Sequence, residues 1–406
     1  MPGVPAAPRH HDPLARPAGR VGIVGGGQLA RMACQAASAM GLVTVVLAEH
    51  ADDAAAGAAA ELVVGVPTVE KDLRLLAERC DVVTFDHEQV DLALLAALEA
   101  AGSVVRPGLA TLEMAVDKAR MRRRLAAAGI GVPAFTVLDA PDPAAVCAFA
   151  ADHGWPVVAK AARGGYDGKG VWPVADAAAA DAACRRATAA GTALVVEETV
   201  AIDAELAVLV ARRPGGEAVA WPAVETAQVE GVCREVLVPG RLDPEVTAAA
   251  GALARRVADV AGSVGVLAVE LFWSAGRLLV NEVAARPHNS GHWTIEGAVT
   301  SQFENHLRAV LDLPLGATRP TAPQVASVNV FGAEDGSDPS SRLAGALCVD
   351  GAHVHLYGKA PRPGRKLGHV TVCGDEGDDV RARAWEAARA LGTPVPAGLA
   401  LPGGAA

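Results

Sequence analysis

Val266-Leu-Ala-Val-Glu270-Leu-Phe272 and Leu278-Leu-Val-Asn-Glu282-Val283 are two apolar runs, each broken once by a glutamate. Between them lies Ser274-Ala275-Gly276, so residues 264–272 and 277–283 read as a β-hairpin. With the turn at residues 274–277, Glu270 and Glu282 fall almost opposite each other. Two carboxylates at one level of a buried sheet repel unless something positive lies between them. Mg²⁺ bound to nucleotide phosphates fits, because it takes a few carboxylates together with phosphate oxygens. Asn281 offers a neighbouring oxygen ligand or a phosphate contact. The other reading is that one strand is an edge and both glutamates are solvated.

Immediately downstream, Arg286-Pro-His-Asn-Ser-Gly-His292 is dense in donors and suits a substrate anion. His288 and His292 have the i, i+4 spacing of zinc ligands, but Pro287 and Gly291 oppose the helix such a pair needs. Upstream, residues 156–160 read as a strand ending in Lys160, followed by Arg163-Gly-Gly-Tyr-Asp-Gly-Lys-Gly170. Four glycines with Arg163 and Lys169 let backbone N–H groups and cations approach phosphate. A flexible loop between strands is the alternative; a Walker A loop is not, since no GK[ST] is present. Residues 193–198 and 205–210 read as strands and 244–261 as a helix.

At the N-terminal end, the apolar run 21–24 meets Gly25-Gly-Gly27, and residues 28–40 read as a helix. Strands at 42–47 and 81–85 and a helix at 92–101 complete the start of a doubly wound parallel sheet. Gly25-x-Gly27-x-x-Ala30, with Glu49 some twenty residues on, matches a dinucleotide-binding fingerprint. Such glycines equally serve any tight strand-to-helix turn, and nothing downstream resembles hydride chemistry. Residues 84–91 end the third strand with Asp86, Glu88 and Asp91, at the end of the sheet where ligands bind; a charged loop accounts for them equally well. Residues 117–128 read as a basic helix, with Arg120, Arg122, Arg123 and Arg124 on a solvated face.

After Pro314 the composition shifts. Strands near 327–331, 353–357 and 369–372 and a helix at 378–391 form a smaller block. Within it, residues 357–369 gather Lys359, Arg362, Arg365, Lys366 and His369 around Pro and Gly, a local basic loop suited to a phosphate monoester or a solvated turn. The chain as a whole carries −10 over 406 residues, which argues against a broad nucleic-acid surface. At 51% hydrophobic and 20% charged it is expected to pack, and at 3% aromatic its cores are built from Ala, Val and Leu. No apolar run reaches the ~18 residues of a membrane span. Seven scattered cysteines without a CxxC read as reduced, buried thiols of a cytoplasmic protein.

Four stretches, 24–32, 164–170, 281–294 and 362–369, occur in the order found in N5-carboxyaminoimidazole ribonucleotide synthases, and the chain resembles that family from about residue 21 to its final helix. The resemblance implies an α/β protein with an ATP-grasp fold, an N-terminal Rossmann-like (pre-ATP-grasp) domain and a small C-terminal β-rich domain. The expected divisions are a disordered extension at 1–19, domains at 20–115, 116–315 and 316–395, and a flexible tail at 396–406. It implies ATP-dependent carboxylation of aminoimidazole ribonucleotide with bicarbonate through carboxyphosphate, with Mg²⁺ and without NAD. The product would pass to a separate mutase, and the enzyme would be a homodimer without nucleic-acid or membrane partners.

By position, Lys118 and Lys160 would contact ATP phosphates, with Gly165, Tyr166, Asp167, Gly168, Lys169, Gly170 and Val171 closing over them. Glu197, Glu198, Thr199 and Val200 would line the adenine, Glu205 would take the ribose, and Asn281 and Glu282 would complete the ATP site. Glu270 and Glu282 would hold Mg²⁺. Gln28, Leu29, Asp167, Arg286, His288 and Asn289 would surround the acceptor, with Lys359, Arg365 and Lys366 on its phosphate. Tyr166, Lys169 and Arg286 would be catalytic. Gln228 replaces a histidine common near the nucleotide, and Ala30 a common glycine. The rival readings are an ATP-grasp ligase with another phosphorylated acceptor and a catalytically silent nucleotide-binding regulator.

Overall fold

The computed structural model describes residues 19–165 and 170–401. β1 (Arg20–Val24), β2 (Val43–Ala48), β3 (Glu61–Val64) and β4 (Val82–Phe85) form a parallel sheet in the order β3-β2-β1-β4. Its strands are mostly apolar because both faces are covered, with Arg20 and Glu61 at strand starts and Thr44 and Thr84 inside. α1 (Gln28–Ala39) packs on Val21 and Ile23, while α2 (Glu70–Glu78) and α3 (Leu92–Ala100) cover Val24, Val45 and Val83. α4 (Leu109–Val116) leads out of this unit.

α5 (Lys118–Ala127) is capped by Asp117, whose carboxylate accepts from the Arg120 N–H at 2.9 Å. β5 (Phe135–Leu138), α6 (Pro143–His153), β6 (Val157–Ala161), β7 (Val171–Val174), α7 (Ala177–Ala189) and β8 (Leu194–Glu198) follow. The strands form an antiparallel sheet in the order β5-β8-β6-β7, covered by the two helices. Neither helix is foreseen in the sequence. Both are so rich in alanine that buried and exposed faces carry nearly the same residues, which erases the periodic contrast.

The largest sheet contains β9 (Ala204–Arg212), β10 (Ala218–Ala220), β11 (Val224–Val229), β12 (Val232–Val238), β13 (Gly265–Ser274) and β14 (Arg277–Ala284). α8 (Pro244–Ala261) separates β12 from β13, and α9 (Thr294–Gly297) and α10 (Gln302–Val310) follow β14. β15 (Gln324–Phe331), α11 (Leu343–Leu347), β16 (Ala352–Leu356), β17 (Lys366–Gly374) and α12 (Gly377–Ala390) complete the chain. The strand order is β14-β13-β9-β11-β12-β15-β17-β16, with β10 on β9.

The C-terminal β-rich unit is joined to the preceding one by this order: β15 pairs with β12, Glu235 opposite Val328, so one hydrogen-bonded sheet runs through the composition shift at residue 314. Two expectations are corrected. Residues 396–401 are not a free tail: Leu399 and Leu401 pack on the α12 core, and the Ala400 carbonyl accepts from Arg381 at 2.7 Å. All seven cysteines are free thiols, but only Cys34 and Cys184 are buried; Cys348 is exposed and the other four are half-buried. Residues 1–18 and 402–406 lie outside the described residues.

Candidate active site

Alternation along the strands assigns the two faces of the large sheet. Leu206, Val208, Leu267 and Val269 point toward α8, while Ala207, Leu209, Val266 and Ala268 point away. Glu205 and Glu270 therefore share the face opposite α8. Glu270 is directly opposite Glu282 in the β13–β14 register, and Phe272 opposite Glu205 in β13–β9. The near-opposition read from the sequence is observed, but by way of a register shift between Glu270 and Leu271; regular pairing from Ser274–Arg277 would place Glu270 opposite Asn281. β14 is the sheet edge, which leaves the Glu282 side chain 42% exposed, against 27% for Glu270 in the interior strand. Burial, reinforced by the Glu282 and Glu205 carboxylates, pushes the Glu270 carboxyl up to about 7. Burial alone raises Glu205 to about 6.

The lysines come from the neighbouring layer. Lys118, at the start of α5, places Nζ 2.5 Å from Glu282. Lys160, on β6, lies 2.7 Å from Glu197 and 3.3 Å from the Asn281 amide oxygen. Glu197 is held from its other side by Arg122 at 2.7 Å, and Arg122 also donates to the Val280 carbonyl. Burial pushes Glu197 up, but Arg122 and Lys160 outweigh it and keep the carboxyl below its usual range. Arg122, read from sequence as part of a solvated helix face, is 1% exposed. A run of four arginines looks uniformly solvated in a chain. Only the packing of α5 against β8 and β14 selects which one turns inward.

The residues expected at the adenine diverge. Glu197 is buried in the ion triad just described. The Glu198 carboxylate accepts from the Ala134 N–H at 2.9 Å, and the Thr199 hydroxyl donates to the Pro156 carbonyl at 2.7 Å. Val200 is half-buried beside them, and Gln228 sits where the β11–β12 register shifts. Gly165, Gly170 and Val171 flank the glycine loop; Tyr166, Asp167, Gly168 and Lys169 lie outside the described residues.

Past β14, Arg286 pairs with Glu88 at 2.9 Å, and Glu88 also accepts from the Ala285 N–H. Glu88 belongs to the acidic run that ends β4, so that run reaches across to the large sheet. His288 presents Nε2 to Glu270 at 3.4 Å. The Ser290 N–H donates to His288 Nδ1, which assigns the proton to Nε2. Burial, with Arg286 and Lys366 nearby, lowers this imidazole to about 3, so it is neutral. The loop is fixed by a residue with no signal in the sequence. Gln302, fully buried at the start of α10, accepts from the His288 N–H at 2.8 Å and donates to its carbonyl at 2.7 Å. Asn289 has a buried, unpartnered side-chain oxygen.

The basic loop separates into two parts. Lys359 donates to the Gln28 side chain and so joins the loop to α1, beside buried Leu29. Arg365 donates to the Ala360 carbonyl, and Lys366 opens β17 opposite Phe331. His369, counted with the basic residues from sequence, is instead buried in the sheet and stacked between His292 and His355. Burial, with those two rings and Lys366 adding to it, holds it well below its usual range and therefore neutral.

The glycine turn after β1 is filled by the chain itself. Asp86 accepts from the Gly27 N–H at 2.5 Å and the Ala30 N–H at 3.0 Å. A Cβ at Gly27 would meet the Asp86 carboxylate at 2.2 Å, and at Gly25 (φ +102°) the His87 ring at 2.6 Å. The glycines admit this carboxylate to the α1 N-terminus, where an anion is favoured. Glu49 is exposed. Away from the carboxylate face, a cavity of about 990 Å³ is lined by Arg120, Arg123, Arg124 and Arg163. Their guanidinium groups are already taken by Glu113, Asp139, Asp117 and the Ala110 and Val260 carbonyls. Among the described residues no helix is long and apolar enough to cross a membrane.

Paired lysines and carboxylates between an antiparallel layer and a large sheet, behind a parallel α/β unit, define an ATP-grasp enzyme. Three families match in succession: the ribonucleotide synthetase preATP-grasp domain over residues 19–116, the ATP-grasp domain over 123–303 and the phosphoribosylaminoimidazole carboxylase C-terminal domain over 326–383. N5-carboxyaminoimidazole ribonucleotide synthase of Mycobacterium tuberculosis is 49% identical over 376 residues, 91% of this chain and 87% of that protein. The Corynebacterium ammoniagenes enzyme is 42% identical, covering 91% of each. The Thermus thermophilus crystal structure superposes with a TM-score of 0.83 at 37% identity, covering 93% of this chain and 99% of that one. An Aspergillus clavatus synthase in complex with ADP and 5-aminoimidazole ribonucleotide gives 0.83 at 29% identity, covering 92% and 99%. The chain belongs to the N5-carboxyaminoimidazole ribonucleotide synthase family, enzymes of purine biosynthesis that carboxylate aminoimidazole ribonucleotide at the expense of ATP.

Proposed function

We propose that the carboxylate face and the loops around it bind ATP, bicarbonate and aminoimidazole ribonucleotide in one cleft and join them through carboxyphosphate. The observation that carries this reading is the Glu270–Glu282 pair, two carboxylates in register with Lys118 at 2.5 Å and one of them raised to about 7. Among the described residues no three His, Cys, Asp or Glu side chains converge as a self-sufficient metal site. That fits Mg²⁺, which is commonly held by one or two carboxylates plus nucleotide phosphates. Glu270 and Glu282 would hold it, and when bound it would offset charge on the phosphates.

Lys160 and Lys118 would neutralise the transferring phosphates. Bicarbonate oxygen attacks the γ-phosphorus, forming carboxyphosphate and releasing ADP. The acceptor's exocyclic amine then attacks the carboxyl carbon. Phosphate leaves with the bonding pair, and the amine's proton passes to it. Arg286, oriented by Glu88, would face the developing oxyanion, an electrostatic role that needs a fixed donor. His288 is neutral, so it would orient by hydrogen bonding rather than by charge. Catalytic roles for Tyr166 and Lys169, homodimer assembly and transfer of product to a mutase rest on the family resemblance.

ADP release with Mg²⁺-ATP and bicarbonate, with and without the ribonucleotide, tests the reading. Strong stimulation by aminoimidazole ribonucleotide, and none by glycinamide ribonucleotide with formate, is the expected result. No stimulation by either would refute it.

A further inference from the structure

Arg234 is a half-buried cation on β12 that no carboxylate balances among the described residues. Its guanidinium carbon lies 4.3 Å from the centre of the Phe331 ring, and its Nε is buried without a hydrogen-bond partner. The other arginines turned into this part of the fold are paired: Arg122 with Glu197, Arg286 with Glu88 and Arg381 with Glu235. Glu235, next in sequence to Arg234, points to the opposite face, where Arg381 and Trp385 take it. The β11–β12 register passes from Ala227–Glu235 to Gln228–Cys233, leaving Arg234 as the extra residue of a bulge. Bulges re-aim side chains and are common beside active sites. Alternation from Glu235 puts Arg234 on the face that carries Glu205 and Glu270.

A desolvated cation is costly unless an anion meets it. The Phe331 ring supports one face of the guanidinium and leaves its N–H edge for a planar or tetrahedral oxyanion. The neighbouring structure indicates which one. Phe331 is opposite Lys366, and the next residue is stitched to the basic loop: the Gly332 N–H donates to the Arg365 carbonyl at 2.9 Å, and the Gly364 N–H to the Gly332 carbonyl at 3.1 Å. A Cβ at Gly332 would meet the Arg362 carbonyl at 2.0 Å, so loop and strand are in close contact. β12 and β17 flank β15, about 10 Å apart at the usual strand spacing. Arg234 and Lys366 thus bracket one site from two sides.

We infer that Arg234 is a further substrate-binding residue, its guanidinium held on Phe331 to grip the phosphate monoester of the ribonucleotide acceptor together with Lys366. The inference rests on the reading that Lys359, Arg365 and Lys366 form the acceptor-phosphate site. Steady-state kinetics of Arg234→Met, Arg234→Lys and Lys359→Met, with ribonucleotide, ATP and bicarbonate varied separately, test it. Arg234→Met is expected to raise KM for the ribonucleotide roughly ten- to a hundredfold, the worth of a charge-assisted hydrogen bond, with the other two within about twofold. Arg234→Lys should recover part of the loss, and it serves as the readout where the Met variant fails to fold. An unchanged ribonucleotide KM in Arg234→Met, or a rise in the bicarbonate KM instead, overturns the inference. An unchanged KM in Lys359→Met as well would mean that the phosphate-site reading itself has failed.

Discussion

Replacing Glu270 with glutamine should stabilise the ligand-free protein and abolish its activity. Its carboxyl titrates at about 7 rather than 4.5 because it is desolvated and faces Glu282 and Glu205. A raised acid is no burden below its unfolded pKa. Its cost appears as pH rises from 4.5, and is complete above about 7. Two and a half powers of ten correspond to about 3 kcal/mol. The side chain keeps 27% of its surface open, so water reduces this to roughly 1–2 kcal/mol. The variant, neutral at every pH, should melt a few degrees higher than wild type at pH 8, since 1 kcal/mol is worth about 2–4 °C in a 150–250-residue domain and less in a larger one. At pH 5 most of the gain should vanish. Turnover should fall by orders of magnitude because the carboxylate proposed to hold Mg²⁺ is gone. Melting by calorimetry at both pH values, with ADP release measured alongside, tests both halves. A variant that melts at or below wild type at pH 8, or one that retains turnover, would refute the reasoning.

Arg122→Met removes one of the two cations on buried Glu197 and is expected to cost about 3–5 kcal/mol, read as a lowered Tm, together with a raised KM for ATP because Lys160 is left as the only cation among the described residues balancing Glu197 and is less available to the phosphates. Lys359→Ala should raise KM for the ribonucleotide with ATP binding spared, because its anchor is on α1, away from the lysines at the ATP end; titration calorimetry of ATP checks the second part. In Gln302→Leu the His288 main chain loses both bonds of its clamp. Turnover should drop at least tenfold while ATP binding persists, and unchanged turnover would mean that the loop is fixed by other contacts.

Gln302 also marks where legibility ends. The hairpin itself follows from alternation and one short turn, both local properties, but the facing of Glu270 and Glu282 needs the register shift that leaves Asn281 as an extra residue. The glycine loop, the lysine at the end of β6 and the basic stretch after β16 likewise stand in the chain as contiguous chemistry. The paired partners do not. Glu88 meets Arg286 across 198 residues, Arg122 meets Glu197 across 75, and Asp86 fills the glycine turn across 59. A long-range pair leaves no periodic trace in a single sequence, because the contact depends on how whole elements are stacked.

By itself, then, the sequence determined the α/β class, the family signature loops and the hairpin that carries the two glutamates, since these depend on spacings within a few residues. The tertiary structure alone decided that the C-terminal strands continue the large sheet, that Arg122 is buried while the other three arginines of its run are not, and that His369 is a neutral core residue. It also placed a bulge that turns Arg234 toward the basic loop. These outcomes depend on burial and on the electrostatics of neighbours. A residue acquires both only when distant segments close around it.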